Sequence, residues 1–370
     1  MIVQRVELDQ FRNYARFEGE FDPGINVIYG ENAQGKTNLL EAVAYLSTAS
    51  SHRARYDREL IGFDADHARI RAGVFSRDRD FQLEVRLGRG VRRQLYANGV
   101  RLKSAAELSG ILNTVLFCPE DLHLIREGAA VRRRFLDECI CQLRPRYAEA
   151  LAEYRRVYEH KTRILRDWEE HPSLLDTLEE FNLRMAQTGA VLIHYRAYFI
   201  KRLSETAPLI HQDFSGGREE LELGYETVRT VTDPLASVRT ILEQLLEHQR
   251  THRKAELEAR QCLSGPHKDD LTVQLNGMNA KSFASQGQTR TAALSLKLAS
   301  RELFQRDTGE WPVLLLDDVL SELDQRRQEF VLQRINGGQV FITCCEETGL
   351  DTLQRGRTFH IHGGALVPEE

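Results

Sequence analysis

The sequence predicts an α/β fold interrupted by an inserted, mainly helical lobe, and three observations carry that prediction. Both ends of the chain read as strands, the middle switches to helical periodicity, and the strand pattern resumes near residue 270. At 370 residues the chain is long for a single domain, which fits a large domain holding an insert.

The elements follow in order. Ile2–Leu8 and Phe17–Phe21 alternate like half-buried strands, and Asp22-Pro23-Gly24 turns the chain. Ile25–Tyr29 is a short apolar strand running into a glycine loop and an amphipathic helix, Asn38–Ser47. Ala68–Phe75, Phe81–Leu87 and Arg93–Tyr96 read as further strands, the last turning at Asn98-Gly99. From about Glu120 to Ala259 the period becomes 3.6, giving helices over Val131–Leu143, Tyr147–Glu170 and Leu174–His211. Leu221–Leu223 is a short strand, and Asp233-Pro234 opens a helix running to about Arg260. Leu271–Leu275, Val313–Leu316 and Gln339–Thr343 are strands, with a helix over Thr289–Phe304. The division expected is residues 1–119 and 262–370 for the α/β part and 120–261 for the lobe.

Composition narrows the class. Charged residues make up 28% and hydrophobic residues 41%, so the chain is neither disordered nor membrane-embedded, and the start is no secretion signal. A cytoplasmic protein is expected, with its six cysteines as buried free thiols. The formal charge is −5, so a nucleic-acid partner would need a local basic surface. Residues 51–103 offer one, with 13 Lys and Arg against 7 Asp and Glu. Arg53, Arg55, Arg92 and Arg93 are the candidate DNA contacts there; a solvated mixed-charge surface is the alternative.

Gly30-Glu31-Asn32-Ala33-Gln34-Gly35-Lys36-Thr37 matches G-x-x-x-x-G-K-[ST]. Glycines let successive N–H groups curl around phosphate oxygens, and the following helix adds its positive end. Lys36 reaches the outer phosphates of ATP and Thr37 ligates Mg²⁺ in such loops. Val313–Leu316 delivers Asp317 and Asp318 to a strand end. There Asp317 would hold Mg²⁺ and Asp318 orient the attacking water. Ser285-Gln286-Gly287-Gln288 opens a helix, and its serine has two readings: a phosphate contact or an N-cap.

Taken together, these stretches resemble the ABC ATPases. Ser285-Gln286-Gly287-Gln288 is similar to the family's signature, Ser321-Glu322-Leu323-Asp324 to its D-loop, and Thr343 stands at its switch strand. Within that class the chain resembles the RecF family of ABC/SMC-type ATPase heads. Leu8–Tyr14, Phe117–Leu122, Arg132–Asp137, Gly265–Asp270 and Phe283–Arg290 carry the likeness. The resemblance implies that Arg12 and Asn13 approach the nucleotide. It also implies that Ser285, Gly287, Gln288 and Asp324 act on ATP held by a second copy, making the ATP-bound form a homodimer. A signature motif cannot complete its own chain's site.

The function implied is ATP-dependent DNA binding in recombinational repair and replication-fork maintenance. An ATP-driven dimer would clamp single-stranded, gapped or junction DNA, promote recombinase loading with RecR- and RecO-type mediators, and support SOS induction. Weak, DNA-stimulated hydrolysis is implied. The alternative is another ABC/SMC-like ATPase serving as an ATP-gated clamp or a coupling subunit. Three departures stand out: Lys268 replaces the usual Arg, Thr343-Cys344-Cys345-Glu346 replaces an Asp-containing switch, and Asp317-Asp318 lacks a following Glu. The shorter Asp318 predicts slow hydrolysis. Arg132–Arg134 and His267 keep bland alternatives, a solvated helix face and a core or capping histidine.

Overall fold

The computed structural model describes residues 1–345 and 355–367. Three sheets and a helical lobe organise the chain.

The N-terminal strands are β1 (Ile2–Phe11), β2 (Tyr14–Glu20) and β3 (Ile25–Tyr29), followed by helix α1 (Lys36–Thr48). Then come β4 (His67–Ser76), β5 (Arg79–Gly88), β6 (Val91–Ala97), β7 (Val100–Arg101) and β8 (Thr114–Phe117). The lobe holds α2 (Ala129–Leu143), α3 (Pro145–Asp167), α4 (Leu178–Ser215), β9 (Leu221–Glu226) and α5 (Val238–Ala259). The return comprises β10 (Asp270–Leu275), β11 (Met278–Asn279), α6 (Ala280–Phe283), α7 (Gln286–Thr308), β12 (Val313–Asp317), α8 (Gln325–Arg334), β13 (Val340–Cys344), β14 (Arg355–His362) and β15 (Ala365–Leu366).

An antiparallel sheet runs β2-β1-β4-β5-β6-β7. In β4 every second residue is buried, the signature of a sheet with one face on the core. The second sheet runs β15-β14-β3-β13-β12-β8, and all its neighbours pair in parallel except the β14–β15 edge. Its β12 is buried at every position, as a strand covered on both faces must be. The chain enters this sheet at β3, leaves it for β4–β7 of the antiparallel sheet, comes back at β8, and returns from the lobe at β12. Register aligns Thr343 with Asp317 on one side and with Ile28 on the other, while Leu316 stands beside Phe117. The carboxyl ends of β3, β13, β12 and β8 therefore share one edge, where ligands of parallel sheets bind.

The lobe differs from the sequence reading in detail. The long helix begins at Leu178 rather than Leu174, because a 3-10 turn over Pro172–Thr177 intervenes. The next helix starts at Val238 with Ser237 as its cap, not at Pro234. β9 pairs with β10, so a three-stranded sheet joins the lobe to the returning chain. One hydrophobic cluster runs from Leu192 and Leu203 of α4 through Leu296 of α7 to Leu314 and Leu316 of β12. Strands β8 and β14 and helix α8 escaped the sequence reading.

Among the described residues no helix is long and apolar enough to cross a membrane, and no cluster of His, Cys, Asp and Glu suits a metal ion. Cys118, Cys139 and Cys262 are buried and Cys141 and Cys344 half-buried, whereas Cys345 is exposed, against the expectation for that position.

Candidate nucleotide site

The loop between β3 and α1 curls as its glycines require. Gly30 and Gly35 take φ of 149° and 122°. A Cβ on Gly35 would lie 2.8 Å from Asn13 Nδ2 and 3.0 Å from the Tyr14 hydroxyl, so only glycine fits. Lys36 Nζ donates to the carbonyls of Gly30 and Glu31 at 2.6 and 2.8 Å, drawing the ammonium across the loop mouth. Gln34 is held from outside, its carbonyl accepting from Asn13 Nδ2 and Gly364 N and its side chain from Gly363 N. Asn32 accepts from Cys345 Sγ at 3.1 Å. Glu31 and Ala33 complete the turn, Ala33 at φ 63°.

Thr37 at the start of α1 donates to Asp317 Oδ1 at 2.9 Å, and Thr343 donates to the same oxygen at 2.9 Å. Thr343 Oγ1 in turn accepts from Asp318 N at 2.8 Å. Burial raises the Asp317 carboxyl above its usual range, opposed by the two hydroxyls and the charge of Arg53. Asp318 sits at φ 50°, a left-handed conformation uncommon for a residue with a side chain, and its carbonyl accepts from Ser321 Oγ. Hard oxygen donors, Thr37 and Asp317, meet beside a phosphate loop, a set that fits Mg²⁺.

Arg12 and Asn13 lie beside the loop as its braces. Arg12 forms a two-pronged pair with Glu41 of α1 at 2.9 and 2.8 Å and donates to Glu59 O. Glu41 is 0% exposed. Burial pushes its carboxyl up, but Arg12 and Ser51 more than offset this and hold it below the usual range. Tyr14 is buried and donates to Gly35 O at 3.0 Å, a packing role.

Of the four candidate DNA contacts, Arg53 turns toward this site. It donates to Asn38 Oδ1, lies 3.7 Å from Glu41, and its charge acts on Asp317. Arg93 pairs with Asp57 at 3.1 Å. Arg55 and Arg92 are exposed.

The signature lies elsewhere. Ser285 caps α7, accepting from Gln288 N while Gln288 Oε1 accepts from Ser285 N, so its capping reading holds in this chain. Gln288 Nε2 reaches Glu219 of the lobe. Arg327 of α8 donates to Gly287 O and pairs with Asp324, which caps α8, so signature and D-loop form one unit. Among the described residues these hydrogen bonds run to the lobe and to α8, none to residues 30–37. Glu346 lies outside the described residues.

Two basic stretches turn part of their side chains inward. Arg132 is buried and paired with Asp270 at 2.7 Å, so the solvated-face reading does not hold for it; Arg133 donates to Asp269 O. Asp269 accepts from Arg196, Tyr225 and Thr227. His267 contacts the Tyr154 hydroxyl at 2.7 Å, and burial lowers its pKa to about 4. Lys268 is exposed. Sequence reasoning missed Glu41 altogether; its only local signal is an acid on the inner face of the first helix.

Comparison with known proteins follows this geometry. Residues 2–359 match the model of the RecF/RecN/SMC N-terminal domain. The chain is 40% identical over 372 residues to the DNA replication and repair protein RecF of Agathobacter rectalis, covering 99% of each. It is 39% identical over 374 residues to that of Bacillus subtilis, covering 99% of this chain and 100% of the relative. A solved structure of the recombination mediator protein RecF-ATP in the RecFOR pathway superposes with a TM-score of 0.90 at 34% identity, covering 99% of this chain and 96% of that one. The Smc head domain of Pyrococcus furiosus shares the fold, with a TM-score of 0.55 at 16% identity, over 98% and 94% of the two chains. By sequence across nearly its full length and by fold, the chain belongs to the RecF family of DNA replication and repair proteins.

Proposed function

We propose that the chain is an ATP-gated DNA clamp of recombinational repair and fork maintenance. One observation carries this reading: Thr37, Asp317 and Thr343 converge beside the phosphate loop, while Gln288 and Gly287 of the signature bond to the lobe and to α8. A half-site and its complement held apart in one chain favour a two-fold dimer in which each copy completes the other. Residues 1–119 and 262–370 form the ATPase half, and 120–261 the lobe.

ATP sits in the loop of residues 30–37 with Mg²⁺ on Thr37 and Asp317. The ion supplies charge neutralisation at the phosphates. Lys36 leaves the Gly30 and Glu31 carbonyls for the outer phosphates. Asp318 orients water, and its short side chain keeps hydrolysis weak; stimulation by DNA is part of the family reading. Arg55 and Arg92 meet DNA phosphates at single-strand gaps or junctions. Solved relatives named as recombination mediators in the RecFOR pathway support RecR- and RecO-type partners; recombinase loading, a link to SOS induction and a cytoplasmic place belong to the same proposal.

The test is binding to a gapped duplex with ATP, ADP or no nucleotide across a salt series, with sedimentation in parallel. Salt-sensitive binding and dimerisation only with ATP are expected. ATP-driven dimerisation without DNA binding would remove the clamp and point to a coupling subunit.

A further inference from the structure

Helix α7 carries the signature at its first turn, and twelve residues further along it buries a charge. Lys297 is 6% exposed, with its ammonium 2.7 Å from Asp121 Oδ1 and donating to Leu116 O at 2.8 Å. The Phe135 ring lies beside it, 5.6 Å from Nζ to the centroid. A lone buried ammonium would be strongly unfavourable, so this one needs both partners where they are.

Those partners belong to the end of β8. Leu116 pairs with Leu315 of β12, and Phe117 with Leu316, so the next residue, Cys118, follows level with Asp317. Asp121 anchors the turn after β8 by accepting from Cys118 N at 3.0 Å. The first turn of α7 is fixed differently, through Gln288 to Glu219 and through Gly287 to Arg327. Lys297 is thus a polar strut between the signature helix and the sheet edge that presents Asp317.

We propose that Lys297 is a positioning residue for ATP hydrolysis, its ion pair with Asp121 setting the signature of each copy at the separation from its own Asp317 strand that lets two copies close over two nucleotides. The inference rests on the two-fold reading above. An apolar contact holds two helices together but permits sliding, whereas a charge bonded to a carboxylate and a carbonyl fixes both distance and rotation. Lys297 touches no nucleotide in this role, so ATP binding by the loop of residues 30–37 stays independent of it.

The experiment compares the full chain with Lys297→Met, Lys297→Arg and the uncharged pair Lys297→Met/Asp121→Asn. It reads the affinity of a fluorescent ATP analogue, steady-state kcat and KM, ATP-dependent sedimentation and thermal midpoint. Lys297→Met is expected to bind the analogue like the parent, to lose ATP-dependent dimer, and to lose about 10- to 100-fold in kcat, the scale of a small misplacement far from the chemistry. Lys297→Arg recovers part of the kcat, and the uncharged pair recovers the thermal midpoint but not the rate. An unchanged kcat in Lys297→Met overturns the proposal. So does a loss of analogue binding in parallel with thermal midpoint, which makes the pair purely structural. If the parent itself fails to dimerise with ATP, the two-fold reading fails, and kcat alone then decides whether Lys297 positions anything.

Discussion

The Thr343 hydroxyl donates to Asp317 Oδ1 at 2.9 Å while accepting the N–H of Asp318 at 2.8 Å. One oxygen on β13 thereby fixes both the carboxylate assigned to the metal and the backbone of the residue assigned to water. Substituting Thr343→Val removes both bonds at nearly constant volume. Phosphate release is expected to slow by about 10- to 100-fold, with ATP binding little changed because the phosphate loop is intact. A single-turnover assay beside an equilibrium binding assay separates the two, and equal losses in both would refute the assignment.

Asp318→Asn keeps shape and removes the charge. Hydrolysis should fall by about 100-fold, the scale of a lost general base, while ATP-dependent dimerisation persists. Release of gapped DNA after an ADP chase should slow with it. Release at the parent rate means that hydrolysis does not open the clamp.

The Arg12–Glu41 pair gives a stability prediction. Glu41 is wholly buried, and Arg12→Ala leaves its carboxylate with Ser51 and with Arg53 at 3.7 Å, in place of the two-pronged pair. A cost of about 3 kcal/mol is expected in urea unfolding. Arg12→Ala with Glu41→Gln should recover much of it, since the uncompensated charge is then gone.

His267 gives a pH dependence. Its folded pKa is lowered to about 4 by burial, with Lys268, Arg133 and Lys161 adding to the effect, while the unfolded value is near 6.5. The unfolded chain therefore binds the proton first as pH falls. The stability contributed is present above about pH 6.5 and is lost toward pH 4, by at most about 3 kcal/mol. His267→Gln should flatten the acid limb of a stability-against-pH curve; an unchanged slope would assign the acid sensitivity to other groups.

Legibility in the sequence tracked locality. The phosphate loop is eight consecutive residues whose glycines are demanded by backbone geometry, and Asp317 ends a wholly apolar strand, so both read directly. The signature and D-loop read only through their order along the chain. Glu41 was illegible because its partner lies 29 residues away, and no periodicity announces a buried ion pair. Arg53 lies in a basic stretch that reads as a DNA surface; its bond to Asn38 and its approach to Glu41 across the turn after α1 are not visible in the sequence. Strand β14, Arg-Gly-Arg-Thr-Phe-His-Ile-His, carries only two large apolar residues among arginine, glycine and histidine, which hides a strand that lies beside β3.

That placement of β3 sets the order in which the molecule can be made. Among the described residues its sheet neighbours are β13 and β14, which begin more than three hundred residues later. While the ribosome is still adding the lobe, the strand that leads into the phosphate loop has both edges unpaired. Such distant pairing is slow to form and leaves backbone groups open to wrong partners. A nascent chain halted near residue 330 should thus hold a folded antiparallel sheet and lobe but no nucleotide pocket. Competence to bind ATP is expected only once β13 and β14 stand on either side of β3.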